Sequence, residues 1–187
     1  MYPYLTLDPG NSRVEITSVQ IQYPALVLHI ILAFIALLTG FLQFVNRIRR
    51  EIPRFHRYIG RVYVVSVFTS GLLAFVVTYY AEDFTKALAF FVLAVLWILT
   101  TWKAYRKAVN RNFSEHRIWM IRSFGITLVA VSARMLVPVL LLGYAAFHHY
   151  SLPGRRMQMV EEVLKVNIWV GIALNIAIVE WVILSRR

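Results

Sequence analysis

The side chains best equipped for chemistry in this chain are its imidazoles and one arginine. Histidines stand at His29, His56, His116, His148 and His149. A neutral imidazole can ligate haem iron or another transition metal, and two at one level can hold a haem between them. His29 and His148 lie toward one end of the apolar segments described below, and His56 and His116 toward the other. A bis-histidine b-type haem at each level would use that layout, with nearby arginines on its propionates. The same rings can instead hydrogen-bond water or lipid phosphate at the surface. Arg134 stands inside an apolar stretch, with no Asp or Glu at similar depth. A guanidinium in hydrocarbon costs at least about 2.5 kcal/mol, so this one is expected to turn into the bundle, on the side of His29. Pro138 has no N–H, so the carbonyl of residue 134 loses its helical partner and a kink is expected. Either Arg134 grips an anionic or carbonyl oxygen of a ligand in an internal cavity, or it caps carbonyls of its own broken helix.

Other chemistries have no residues to run on. With no cysteine, disulfides, thiolate metal sites, thiol nucleophiles and cysteine-ligated clusters drop out. No Gly-x-Ser-x-Gly elbow, His-Glu-x-x-His motif, intramembrane acid pair or P-loop occurs, which argues against a hydrolase or an ATPase. Whether the chain is an enzyme of another kind stays open.

The elements that must position these groups are membrane helices. Of 187 residues 59% are hydrophobic and 16% charged, against about a quarter charged in an ordinary soluble domain. A spanning helix needs about 20 mostly apolar residues. Five segments qualify: 24–45, 62–80, 87–102, 118–144 and 166–184. The expected fold is therefore all-α, a polytopic membrane bundle with a four-helix core and a fifth transmembrane helix. Residues 24–187 form one transmembrane domain, and residues 1–23 an external lead-in without the basic start and apolar run of a signal peptide.

Charge gives the orientation. Thirteen lysines and arginines fall in the loops after the first and third helices and at the C-terminus, against five on the other side. Basic loops stay in the cytoplasm. The N-terminus is thus expected outside and the C-terminus inside, in a bacterial cytoplasmic (inner) membrane. The net charge of +11 follows from this topology, and no nucleic-acid motif accompanies it.

Three helices carry small or polar stripes at helical spacing. The first reads His29, Ala33, Ala36, Gly40, Gln43, Arg47; the fourth His116, Ser123, Thr127, Ala130, Arg134; the fifth Asn167, Gly171, Asn175. The second offers Ser66, Ser70, Ala74 and Thr78 at steps of four. Small residues admit close helix packing, and hydroxyls and amides hydrogen-bond across it.

Two of these motifs resemble a known family. His29 in an apolar helix is followed by Gly40-Phe41-Leu42-Gln43-Phe44 and by His56-Arg57-Tyr58-Ile59-Gly60-Arg61-Val62-Tyr63. Later comes His116-Arg117-Ile118-Trp119-Met120-Ile121-Arg122-Ser123-Phe124, with Arg134 downstream. The pattern, from about Ala25 to Gly143, resembles the bacterial predicted membrane proteins of the domain of unknown function 2306. The resemblance points at His29, His56, Arg57, Arg61, His116, Trp119, Arg122 and Arg134 and supplies no activity. The histidine layout also loosely resembles that of cytochrome b561-like four-helix proteins, which implies haem.

The site expected is an intramembrane one lined by histidine and arginine. His29, His56, His116, His148 and Arg134 are the candidate cofactor-binding residues, and Gln43, Arg57, Arg61, Trp119, Arg122, Ser123 and Thr127 the candidate ligand contacts. His56, Arg57, Arg61, His116 and Arg122 are expected to converge near the cytoplasmic face. One function is electron transfer through haem b with a quinone. Another is a cofactor-free transporter or sensor binding a small anion, lipid or quinone. A third is a structural or assembly subunit, either in a homo-oligomer or in a larger membrane complex.

Overall fold

The computed structural model describes residues 16–147 and 156–185, all built from helices and short connections. Chain order gives α1 (Gln22–Gln43), α2 (Asn46–Glu51), α3 (Pro53–Tyr79), α4 (Phe84–Val109), α5 (Phe113–Phe147) and α6 (Arg156–Leu184). All but α2 are long and apolar enough to cross a membrane. The protein is an integral membrane protein, and its exposed Leu, Ile, Val and Phe side chains face lipid rather than a defect in packing.

Packing follows chain order. The most extensive contacts join α1 to α3 and α5 to α6, with α3 on α4 and α4 on α5 between them. Smaller contacts tie α4 to α6 and α1 to α5. Short connections force antiparallel neighbours. The ends of α1, α4 and α6 and the starts of α3 and α5 therefore share one end of the bundle. That end carries most of the arginines, and is called the basic end below.

The first span lies at Gln22–Gln43, two residues before its apolar segment, and the other four spanning helices outrun theirs. The second span starts at Pro53 rather than at residue 62, because Pro53 occupies the first helical turn, where its missing N–H costs nothing. The third starts at Phe84 because the Asp83 side chain accepts from the Lys86 N–H at 2.8 Å. It ends at Val109, seven residues past the apolar run. The fifth begins at Arg156. Pro53 and the Asp83 cap, not hydropathy, set the starts of α3 and α4. The segment 46–51, read as loop, forms the short helix α2. α5 runs unbroken through Pro138.

Two apolar clusters lie along the bundle axis. One joins Ala36, Tyr63, Val67, Trp97, Ala104, Met120 and Ile126 from α1, α3, α4 and α5. The other joins Ala89, Val129, Ala133, Ile168 and Ile172 from α4, α5 and α6. α5 belongs to both, with different faces.

Candidate functional site

His29 is fixed by α3. Its Nδ1 lies 2.9 Å from the Ser70 carbonyl oxygen, and the Ser70 hydroxyl donates to the His29 carbonyl at 3.1 Å. Ser70 Oγ also lies 2.9 Å from Nδ1. With Nδ1 protonated and donating to the Ser70 carbonyl, the neutral ring keeps a lone pair on Nε2. His116 is held alike: its Nδ1 donates to the Ala104 carbonyl of α4 at 2.8 Å. Ligating imidazoles are ordinarily oriented by this kind of bond from the other ring nitrogen. His56 differs. Its Nδ1 is buried without a partner. His148 and His149 lie outside the described residues.

Gln43 closes α1 onto α3. Its amide donates to the His56 carbonyl at 3.0 Å, and the side chain lies against Gly60. The small stripe of α1 thus faces α3, with Ala36 fully buried and Gly40 under the rings of Phe124 and Tyr63.

Ser123 and Thr127 belong to a buried hydroxyl network. The Tyr63 hydroxyl lies 2.6 Å from Ser123 Oγ and 3.0 Å from Thr127 Oγ1. Thr101 Oγ1 meets Ser123 Oγ at 2.6 Å, and the Trp97 indole donates to Thr127 Oγ1 at 2.9 Å. Each polar atom has a partner, so the network joins α3, α4 and α5 without reaching toward a ligand. Of its members only Ser123 and Thr127 were singled out by the stripes. Tyr63, Trp97 and Thr101 look like ordinary apolar-segment residues in sequence.

The expected convergence at the basic end is split. Arg122 turns to α6 and grips Glu180 with both arms of its fork, at 2.6 and 2.9 Å. Its guanidinium also stacks on Trp119 at 4.6 Å, and Lys103 approaches the same ring at 4.4 Å. The pair borders a cavity of about 150 Å³ between α4, α5 and α6. Arg57 and Arg61 instead face outward from α3. With Arg54 and Tyr58 they line a cleft of about 290 Å³. None of these three arginines is ion-paired among the described residues.

Arg134 overturns its expectation. It is exposed on the outside of α5 rather than inside the bundle, and its Nη1 donates to the Ala130 carbonyl at 2.6 Å. It is not at mid-depth either. Its neighbour Ala133 packs with Ala89 and Gly171, which puts Arg134 about 8 Å inside the start of α4 at a rise of about 1.5 Å per residue. Spacing alone places Arg134 on the face of Ser123 and Thr127. The neighbours of α5 change along its length, however. Near the basic end it meets α1 and α3 as well as α4 and α6, and farther on Val129 and Ala133 pack with α4 and α6. Among the described residues no helix covers the face that carries Arg134, which is exposed.

Among the described residues no group of three or more His, Asp or Glu could hold a metal ion. The family model described as predicted membrane protein, DUF2306, matches residues 26–183. The chain belongs to this family. The DUF2306 match extends from α1 through α6, beyond the segment that carries the histidine motifs. No curated protein and no solved structure matches the chain.

Proposed function

We propose that this DUF2306 protein is a membrane-embedded binding protein that takes the anionic headgroup of an amphiphile at its basic end. One observation carries the reading: Arg54, Arg57 and Arg61, about one turn apart on α3, line a single cleft with the Tyr58 ring, and among the described residues no acid is paired with them. Guanidinium forks match phosphate and carboxylate oxygens, and Tyr58 offers a hydroxyl and an apolar face. The basic asymmetry supports a cytoplasmic position for this end in a bacterial inner membrane. Anionic lipids of the cytoplasmic leaflet contribute about 1 kcal/mol per basic residue.

The test is native mass spectrometry of the protein released from nanodiscs of mixed phosphatidylglycerol and phosphatidylcholine. The wild type should retain the anionic lipid selectively, and Arg57→Gln with Arg61→Gln should weaken it about fivefold per arginine, the equivalent of about 1 kcal/mol each. Equal retention of both lipids, or an unchanged preference in the double variant, rejects the proposal.

The histidines favour a second reading, haem b with a quinone as electron partner. His116 presents a free Nε2, and His56, at the start of α3 on the same end of the bundle, has an unpartnered Nδ1. These two would hold the iron, which would supply one-electron chemistry. Neither cavity is lined by a histidine, which places this reading second. Absorption spectra of the protein purified with haem supplied would decide it. Reduced-minus-oxidised bands lost in His116→Ala support haem, and a colourless protein ends the reading.

A further inference from the structure

The cavity between α4, α5 and α6 is separate from the arginine cleft and has a different character. Leu96, Ile126, Ile176 and Val179 give it apolar walls, and the Arg122–Glu180 pair stands at its edge. Its other side-chain donors are already spent. Asn175 donates to Ser132 and to the Gly171 carbonyl, and the Thr100 hydroxyl donates to the Leu96 carbonyl. A ligand head that needs hydrogen-bond donors therefore has the ion pair as its place of attachment, since Asn175 has only its acceptor oxygen left.

The pair constrains which ligand that is. Arg122 already holds a carboxylate bidentately, so its fork is shaped for one. A neutral head would have to leave the pair intact. An anion added beside it would leave an uncompensated charge at membrane depth, which is costly. A carboxylic acid avoids both problems by exchange. The acid enters neutral and its O–H proton passes to a Glu180 carboxylate oxygen. The new carboxylate then replaces Glu180 on Arg122. One positive and one negative charge are present before and after. Among the described residues, other charged groups near the pair are Lys103 on α4, over the same Trp119 ring, and Glu115 on α5, which interacts with Arg122 and is paired with Lys107 at 3.8 Å. Lys103, Lys107 and Glu115 all keep their charges through the exchange.

We infer that this cavity binds a small monocarboxylic acid with an apolar tail, exchanging it against Glu180 on Arg122 with transfer of one proton. The volume of about 150 Å³ suits a short chain rather than a drug-sized ligand, whose pockets start at about 300 Å³.

Isothermal titration of the purified protein with butyrate, in two buffers of different ionisation enthalpy, tests this directly. Butyrate should bind with uptake of one proton per molecule, more tightly as pH falls, while butyramide should not bind. Glu180→Gln leaves Arg122 without its carboxylate, so this variant should bind butyrate without proton uptake and about tenfold more tightly at neutral pH, the worth of one charge-assisted hydrogen bond. The double variant Arg122→Gln, Glu180→Gln removes both charges together, so its fold should survive, and it should not bind. Butyrate binding without proton uptake in the wild type, uptake retained in Glu180→Gln, or no butyrate binding by either wild type or Glu180→Gln overturns the inference. Retained binding in a folded double variant overturns it as well.

Discussion

Tyr63 shows what a single buried side chain does here. It is fully buried, and its hydroxyl meets both Ser123 and Thr127. Interhelical hydrogen bonds in membrane proteins contribute about 0.6 kcal/mol on average and up to about 1.7. Tyr63→Phe removes the hub of the network while leaving Ser123 tied to Thr101 and Thr127 tied to Trp97. We expect it to lower stability by about 1 kcal/mol, read as a reduced thermal midpoint in detergent. Arg134 predicts the opposite sign. It faces outward and meets only the carbonyl of Ala130 among the bonds that fix it. Arg134→Met exchanges a lipid-facing charge for an apolar chain of similar length. The variant should be as stable as the wild type or more so, and should bind anionic lipid unchanged. A marked drop in thermal midpoint would mean that the guanidinium holds the helix together. The two residues also mark what sequence can tell. Arg134 stood out because its type is rare in a span, yet its direction depends on which helices surround α5. Tyr63 did not stand out at all, because its value lies in hydroxyls supplied by two other helices.

Among the elements, α5 decides the architecture. Near the basic end it packs on α1 and α3 as well as on α4 and α6, and farther along Val129 and Ala133 join it to α4 and α6. The first of these contacts requires Gly40. A Cβ there would lie 2.6 Å from the Phe124 ring and 2.9 Å from the Tyr63 ring. Gly40→Leu should therefore push α1 away from α5 and cost about 1–3 kcal/mol, as overpacking does. Crosslinking between cysteines introduced on α1 and α5 near this level should fall in the variant, and unchanged yield would place the contact elsewhere. The small stripe of α1 was legible because period alone puts Gly40, Ala36 and His29 on one face, and that face meets α3. Helix ends were less legible. Apolar runs mark where hydrocarbon lies, whereas Pro53 and Asp83 start their helices outside those runs. The Arg122–Glu180 bond could have been suspected from the one acid in a predicted span. Its partner was fixed only by the antiparallel register of α5 and α6, which also brings Gly125 against Val179.

For the whole molecule the governing asymmetry is electrical. In the sequence, thirteen of the basic residues outside the spans fall in the loops after the first and third spans or at the C-terminus, and five fall in the remaining segments together with six acids. The acids contribute little to orientation, so the count of lysine and arginine decides. Holding the arginine cleft in the cytoplasm requires α3 to start there, and an even number of crossings from the start of α3 to the start of α5 puts His116 on the same side. Five crossings then separate the two chain ends. A reporter fused after Arg187 should read cytoplasmic, and one inserted between Ser151 and Arg156 should read external. The two readings must be opposite whatever the orientation, because α6 alone separates the sites. Equal readings would mean that α6 does not cross. Opposite readings of the reverse sense would put the arginine cleft outside, away from the cytoplasmic leaflet, and would remove the electrostatic support for headgroup binding there while leaving the Arg122–Glu180 cavity untouched.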